Sequence, residues 1–289
     1  MKKILCPVDL RPDTLNALEA AAHIAAAHNI QLVLMHVLTQ DEYENALSSG
    51  EGKLEEVDGL QQSQQLAMER LCVTLRETVP QLQCSAILRY GDVIDTILEE
   101  ARLQQASLIV MGSHGVSDIT EAMGGNHPVK VIDQSPCPVL CVPRDAVFEI
   151  PARVVYGSRM KPEDADCLQR LVSLLYPFGS HIEVVLIDED TVANRQKWSR
   201  HEALMRSYVN YKNLSFCIHP WNEETYLGLN DYRLQRNAQL LVLLTHQRNF
   251  LQRIFQKSVF KQITYFSDFP FLVFLEEHQS AAPADTRGV

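Results

Sequence analysis

The residues Met111-Gly112-Ser113-His114-Gly115, followed after a nine-residue gap by Gly125-Asn126, have the types and spacing to hold a phosphate group. They come directly after the apolar run Leu108-Ile109-Val110 and precede a short apolar-periodic segment over 129–132. A buried strand therefore ends in glycines, and one loop later a helix begins. Glycine lets the backbone reach φ > 0 and approach a ligand closely, and the free N–H groups of a helix start attract phosphate oxygens. The chemistry this predicts is anion binding by backbone donors. The plainer alternative is that Gly112 and Gly115 are turn residues the fold alone requires.

A damaged copy sharpens the signal. Shifted by 132 residues, Ala106-Ser107-Leu108-Ile109-Val110 falls on Ala238-Gln239-Leu240-Leu241-Val242. The same shift, without a gap, puts Ser135-Pro136-Cys137-Pro138-Val139-Leu140 on Ser267-Asp268-Phe269-Pro270-Phe271-Leu272. Between these anchors Gly112, Gly115 and Gly125 become Leu244, Gln247 and Lys257, so one half keeps the candidate phosphate loop and the other lacks it.

Composition narrows the partners. A chain of 289 residues accommodates two domains of ordinary size. An apolar share of 46% with 21% charged residues is that of a globular protein. The net charge of −10 argues against nucleic acid, whose phosphates need clustered Lys and Arg. Seven cysteines, odd in number and mostly within apolar runs, read as buried reduced thiols rather than a disulfide framework. The apolar run after Lys3 is too short for a signal-peptide core, and no run reaches the ~20 residues of a membrane span. A cytoplasmic protein without membrane contact is expected.

The elements that must position the glycines follow from periodicity. In the first half, strands are expected over 3–8, 31–38, 84–88, 108–110 and 138–142, with helices over 13–28, 60–79, 93–104 and 127–134. The second half repeats the order, with strands over 153–156, 181–187, 214–218, 239–244 and 270–274 and helices over 162–176, 191–210, 223–236 and 258–266. Near-continuous apolar strands separated by helices give a parallel sheet covered on both faces. The segment 41–58, with seven acidic residues and one Lys, reads as a mobile acidic loop. Residues 144–151 are the join, and the polar tail 279–289 is expected to be disordered.

In an open parallel sheet, ligands bind beyond the carboxyl ends of the strands where strand order reverses. Asp9 after the first strand, Val37 ending the second, and the glycines around the fourth converge there. An apolar wall and an acid would hold a base and ribose, with the glycine loop around the phosphates. Asp9 as a merely exposed acid is the competing reading, and His114 and His127 either touch phosphate or stand in solvent. No zinc-ligand spacing, Gly-x-Ser-x-Gly elbow or Walker Gly-Lys-Ser/Thr loop occurs.

Four motifs in order resemble the universal stress protein family: Ile4-Leu5-Cys6-Pro7-Val8-Asp9, His36-Val37, Gly112-x2-Gly115-x9-Gly125-Asn126, and Pro136-Cys137-Pro138-Val139-Leu140. The resemblance is strong over 1–143 and weaker over 152–276, so the chain looks like a tandem member. It implies two α/β flavodoxin-like domains of the adenine-nucleotide-hydrolase type, over 1–145 and 150–278, each a five-stranded, mostly parallel sheet. It further implies packing of the two across their last strands as an intramolecular pseudo-dimer, with homodimerisation and any protein partner left open. For the site, it implies ATP or another adenine nucleotide with Mg or Mn carried by the phosphates. Pro7 and Val37 would line the base, and Asp9 would meet the adenine or ribose end. Met111 and Gly112 would lie beside ribose and phosphates, with Gly115, Gly125, Asn126 and His127 along the phosphate chain.

Asn126 stands where the family has Ser/Thr, and His127-Pro128 follows. Asn can cap the helix and donate an amide N–H, while Pro128 removes one backbone donor from the anion site. In the second half Arg159 falls at or near the Asp9 position, and bulky residues replace the glycines. Either Phe250, Ile254 and Phe255 fill the vacated space, or Arg248, Arg253, Lys257 and Ser258 bind a different anion by charge. The function implied is stress-related nucleotide sensing or regulation. A nucleotide-independent interaction protein and a slow ATP-hydrolysing or adenylating enzyme are the alternatives.

Overall fold

Apolar runs of five to eight residues, many of them β-branched, form the strands of this protein, and amphipathic segments between them form the helices. The first half comprises β1 (Lys3–Pro7), α1 (Leu15–Ala27), β2 (Gln31–Leu38), α2 (Gln40–Ser48), α3 (Leu54–Thr78), β3 (Gln83–Tyr90), α4 (Val93–Leu103), β4 (Leu108–Ser113), α5 (His127–Gln134) and β5 (Val139–Pro143). The second comprises β6 (Arg153–Gly157), α6 (Asp164–Leu175), β7 (His181–Ile187), α7 (Val192–Tyr208), β8 (Leu214–His219), α8 (Thr225–Arg236), β9 (Leu240–Thr245) and β10 (Phe271–Leu275). The structure, a computed structural model, describes residues 1–10, 15–48, 54–113, 127–143, 146, 149–221, 225–245 and 269–275. The expected helix 258–266 and the tail 279–289 lie outside the described residues.

All described strands join one ten-stranded sheet, ordered β3-β2-β1-β4-β5-β10-β9-β6-β7-β8. Each half is thus a five-stranded parallel unit of order 3-2-1-4-5, with the reversal between its first and fourth strands; flavodoxin itself runs 2-1-3-4-5. Alternate strand residues feed two cores. Ile4, Cys6, Leu32, Leu34 and Val110 meet α1 and α3 on one face, while Leu5, Val33, Met35, Val37, Ile109 and Met111 meet α4 and α5 on the other. Asp92 caps α4 by accepting the Ile94 and Asp95 N–H groups at 2.9 and 3.0 Å, which fixes where β3 turns back toward β4.

The 132-residue repeat holds in register. Ile109 pairs with Val139 and Leu241 with Phe271; Gly112 pairs with Val142 and Leu244 with Phe274. The halves meet through β5 and β10, which run antiparallel, with Leu140 opposite Leu272. This is the expected packing across the last strands. His28, just after α1, reinforces it, its Nε2 2.9 Å from the Leu174 carbonyl oxygen of α6.

The acidic segment is not a loop throughout. Residues Gln40–Ser48 form α2, and α3 begins at Leu54. The signal is a capping box: the Thr39 N–H donates to Glu42 Oε2 at 2.8 Å, and the Glu42 N–H donates back to Thr39 Oγ1 at 3.3 Å. Among the described residues no helix is long and apolar enough to cross a membrane.

Candidate functional site

The reversal of strand order lies between β1 and β4, and there the hydrogen-bonded ladder stops short. The two strands pair only at Ile4–Leu108 and Leu5–Ile109, although β1 stays paired with β2 to Pro7 and β4 with β5 to Ser113. Proline is the cause. The Val8 N–H donates toward β2, to the Met35 carbonyl at 2.8 Å, so the nitrogen of its neighbour at position 7 faces β4. Lys3 faces that way too, its carbonyl accepting from Ser107 N–H at 2.9 Å. Pro7 has no hydrogen to donate, so the ladder loses its next rung.

The sequence-predicted residues of the described chain stand around this break in the ladder. Half-buried Pro7 and Asp9 form one wall, with Met111 and Gly112 of β4 opposite them. Val37 and Met111, both buried, belong to the same core on the α4/α5 face. Gly112 does not use its glycine freedom in the way the sequence suggested. It is an ordinary strand residue, absent from the positive-φ glycines of the described chain, so no turn demands it. Among the described residues, a Cβ built on it would meet nothing within 4 Å. Gly115, Gly125 and Asn126 lie outside the described residues; His127 is the first residue of α5.

His36, buried on β2, steadies the wall that carries Asp9. Its Nδ1 lies 2.7 Å from the Val8 carbonyl oxygen. A carbonyl only accepts, so Nδ1 carries the proton and the tautomer is fixed. The sequence placed His36 in a motif without a role; its task is legible only once β1 and β2 are in register.

The second half differs at the same place in four ways. Gly157, the counterpart of Pro7 by strand register, has an N–H, and β6 pairs with β9 through Val154–Leu240, Val155–Leu241, Tyr156–Val242 and Gly157–Leu243. Leu244, the counterpart of Gly112, is buried in the α6/α7 core. A Cβ at Gly157 would meet Leu229 Cδ1 at 2.7 Å, so α8 sits directly on the strand. Trp221 and Ile187, the Val37 counterpart, both crowd Gly228, whose added Cβ would meet Trp221 Cγ at 2.8 Å and Ile187 Cγ2 at 3.0 Å. Exposed Arg159 takes the Asp9 position, as expected. The residues expected to fill the space, Phe250, Ile254 and Phe255, and the alternative anion ligands Arg248, Arg253, Lys257 and Ser258, lie outside the described residues.

A buried polar cluster, unforeseen from sequence, locks the second half at the end of β6. Asp164 Oδ1 accepts from Tyr156 OH at 2.6 Å, and Oδ2 accepts from Ser158 Oγ at 2.8 Å and the Lys161 N–H at 3.1 Å. His201 Nε2 lies 3.3 Å from both Oδ2 and Ser158 Oγ. Burial pushes the Asp164 carboxyl up, but the bonds from His201, Tyr156, Ser158 and Lys161 outweigh it and hold it below its ordinary range. A Ser-His-Asp relay needs the histidine between the other two, using both ring nitrogens. Here one nitrogen faces both partners and Ser158 already bonds the carboxylate, so the cluster is a brace. Among the described residues no group of three or more His, Cys, Asp or Glu side chains could hold a metal ion.

The family model described as Universal stress protein family matches residues 1–143. The Universal stress protein Sll1654 of Synechocystis is 30% identical over 144 residues, 49% of this chain and 85% of that protein. The Universal stress protein YxiE of Bacillus subtilis is 28% identical over 144 residues, 48% of this chain and 97% of that protein. Both matches span about half of this chain. Over nearly its whole length, the fold is similar to a universal stress protein from Archaeoglobus fulgidus, with TM-score 0.70 and 14% identity over 96% of this chain and 97% of that one. With its motifs in order, its first half matched and its fold repeated in tandem, the chain belongs to the universal stress protein family.

Proposed function

We propose that the first half binds ATP or a related adenine nucleotide, and that binding serves sensing or regulation in a stress response rather than fast catalysis. The observation that supports this most is the break in the β1–β4 ladder at Pro7 beside bare Gly112, where the other half has a continuous ladder through Gly157 and a buried Leu244. The residues present fit such a ligand. Pro7, Val37 and Met111 offer an apolar wall for the base, and Asp9 an acceptor for the adenine or ribose end. Gly112 offers backbone approach for the phosphates, continued by Gly115, Gly125, Asn126 and His127. Bound phosphates would bring Mg2+ or Mn2+ with them and supply the electrophilic phosphorus. Asp9, the one acid among the described residues assigned to the site, belongs to the base and ribose end rather than to the phosphates, so turnover is slow or nil. This reading places the protein in the cytoplasm, with one nucleotide per chain.

Mass spectrometry of small molecules released by denaturing the purified protein tests the ligand directly. Calorimetric titration with ATP and Mg2+ follows, on the natural chain, Gly125→Leu and Gly112→Leu. Binding by the natural chain and its loss in both variants is expected. No binding by the natural chain overturns the reading in favour of a nucleotide-independent interaction protein, while equal binding by all three moves the site elsewhere.

A further inference from the structure

Cys72 on α3 and Cys84 on β3 face each other with their Sγ atoms 2.6 Å apart, so the two thiols are juxtaposed with nothing between them. Both belong to the α1/α3 core. Position makes the pair unusual among the buried thiols. Strand β3 is the outermost strand of the sheet and α3 is its cover on that face, and Val73, next to Cys72, is half exposed. A small oxidant has one helix to pass, at an edge where local opening is easiest.

We propose that Cys72 and Cys84 form a reversible thiol–disulfide site, oxidised by hydrogen peroxide to a bond that ties the last turns of α3 to the edge strand. The chemistry balances within the pair. The Cys72 sulfur attacks peroxide; an S–O bond forms, the O–O bond breaks, and the leaving hydroxide takes the Cys72 proton as water. The Cys84 sulfur then attacks the sulfenic sulfur; S–S forms, S–O breaks, and a second water leaves with the Cys84 proton. Two thiols supply two electrons, and peroxide accepts them.

Surroundings assign the order. A hydrogen bond from Cys84 and the charge of Arg76 outweigh burial and the nearby Glu69 and favour the Cys72 thiolate, while the same contact and burial push Cys84 up. Arg76 is held in place by donating through Nη2 to the Cys84 carbonyl oxygen. The second half keeps this arginine device, Arg206 Nη2 donating to the Leu214 carbonyl at 3.4 Å, yet places Glu202 and Leu214 where the cysteines stand. The dithiol therefore belongs to the first half alone and is not needed for that packing. Fully buried Cys6, pushed up to about 12 by burial, is a poor competitor. The consequence lies along the same two elements. Their far ends, with Asp58, Gln61, Gln65, Arg89 and Tyr90, line an open groove of about 550 Å3, whose walls the bond would fix.

The test uses the full reduced chain, treated with a few equivalents of hydrogen peroxide, quenched, denatured, alkylated and digested. Trypsin cuts after Arg70, Arg76 and Arg89, so the bond would join peptide 71–76 to peptide 77–89. Expected are a loss of two alkylatable thiols from the seven, that linked pair, and its disappearance on adding dithiothreitol. In Cys84→Ser the sulfenic acid on Cys72 should persist and be trapped by dimedone. Full alkylation of Cys72 and Cys84 after peroxide, linkage of either to Cys6, or direct overoxidation without linkage overturns the proposal. The natural chain decides the question even if the variant fails to fold.

Discussion

Leu140 and Leu272 lie directly opposite each other in the β5–β10 ladder and are also each other's counterpart in the 132-residue repeat. The pseudo-twofold axis therefore passes between these two side chains, and each half supplies the same surface to the other, as in an isologous dimer. Both are buried in the α1/α3/α6/α7 core. Leu140→Ala and Leu272→Ala should each cost about 2–5 kcal/mol, by nearly equal amounts. Because they touch one cavity, the double variant should depart from the sum. Urea unfolding measures all three; a silent member of the pair would mean the axis is elsewhere.

Trp221 and Gly228 exchange the roles of their counterparts. In the first half the residue after β3 is Gly91, at φ +140, and an added Cβ there would meet Thr96 Oγ1 at 2.9 Å. By register Gly91 corresponds to Trp221, and Thr96, on α4, to Gly228 on α8. The bulk comes from the helix in one half and from the loop in the other. Gly228→Ala should therefore destabilise the natural chain by about 1–3 kcal/mol through overpacking against the indole. In a Trp221→Gly background only Ile187 Cγ2, at 3.0 Å, still opposes the added methyl, and the helix gain of Ala over Gly, about 1 kcal/mol, works against it, so most of the cost should vanish. Thermal or urea unfolding of the cycle checks this, and an undiminished cost would refute the exchange.

The strands were legible because most are buried apolar runs, the two edge strands β3 and β8 being only partly buried, and the doubling was legible because β4 and β5 repeat without a gap as β9 and β10. The helix Gln40–Ser48 was hidden by its acidity, although Thr39 and Glu42 carried the capping signal. Pro7 was legible as part of a motif but not as a ladder breaker, since that role needs the register with β4. The crowding of Gly228 by Trp221 was hidden for a different reason. Counterparts are offset by 150 residues in β1 and β6, by 130 in β3 and β8, and by 132 in β4 and β9, so no single shift aligns them. The Asp164 brace joins a strand end, a helix start and a distant helix, and no local pattern announces that meeting.

That brace makes a pH prediction. Asp164 titrates below its ordinary range when folded, so the unfolded chain takes up the proton first as pH falls. Its contribution is fully present above the ordinary carboxylate value of about 4 and is lost as pH drops through it toward the folded value. Asp164→Asn should cost on the order of 3 kcal/mol at pH 7, since a carboxylate with charge-assisted bonds becomes an amide facing donors. The gap between variant and natural chain should shrink on acidification to pH 3, read from urea midpoints. Glu183 is likewise held low: burial raises it, but Tyr232 and Arg236 prevail. It acts in both proteins alike, so the difference isolates Asp164. A gap independent of pH would sink the assignment.

His36 offers the sharpest separation of scaffold from site. Its Nδ1–H holds the Val8 carbonyl at 2.7 Å, one peptide from Asp9. The second half has Leu186 at the His36 position and braces Ser158, the Val8 counterpart, through Asp164 instead. His36→Leu copies that arrangement without the compensating brace, leaving the Val8 carbonyl without its partner at a cost of about 1–3 kcal/mol. If Asp9 meets the nucleotide, the loosened wall should also weaken ATP binding about tenfold, or about 1.4 kcal/mol. Leu186→His should leave ATP affinity unchanged, because the ligand sits in the other half. Calorimetry on both variants, at a temperature where unfolding shows each to be native, separates the effects. Lower stability with unaltered affinity in His36→Leu would leave this histidine a structural residue and remove Asp9 from the proposed contact.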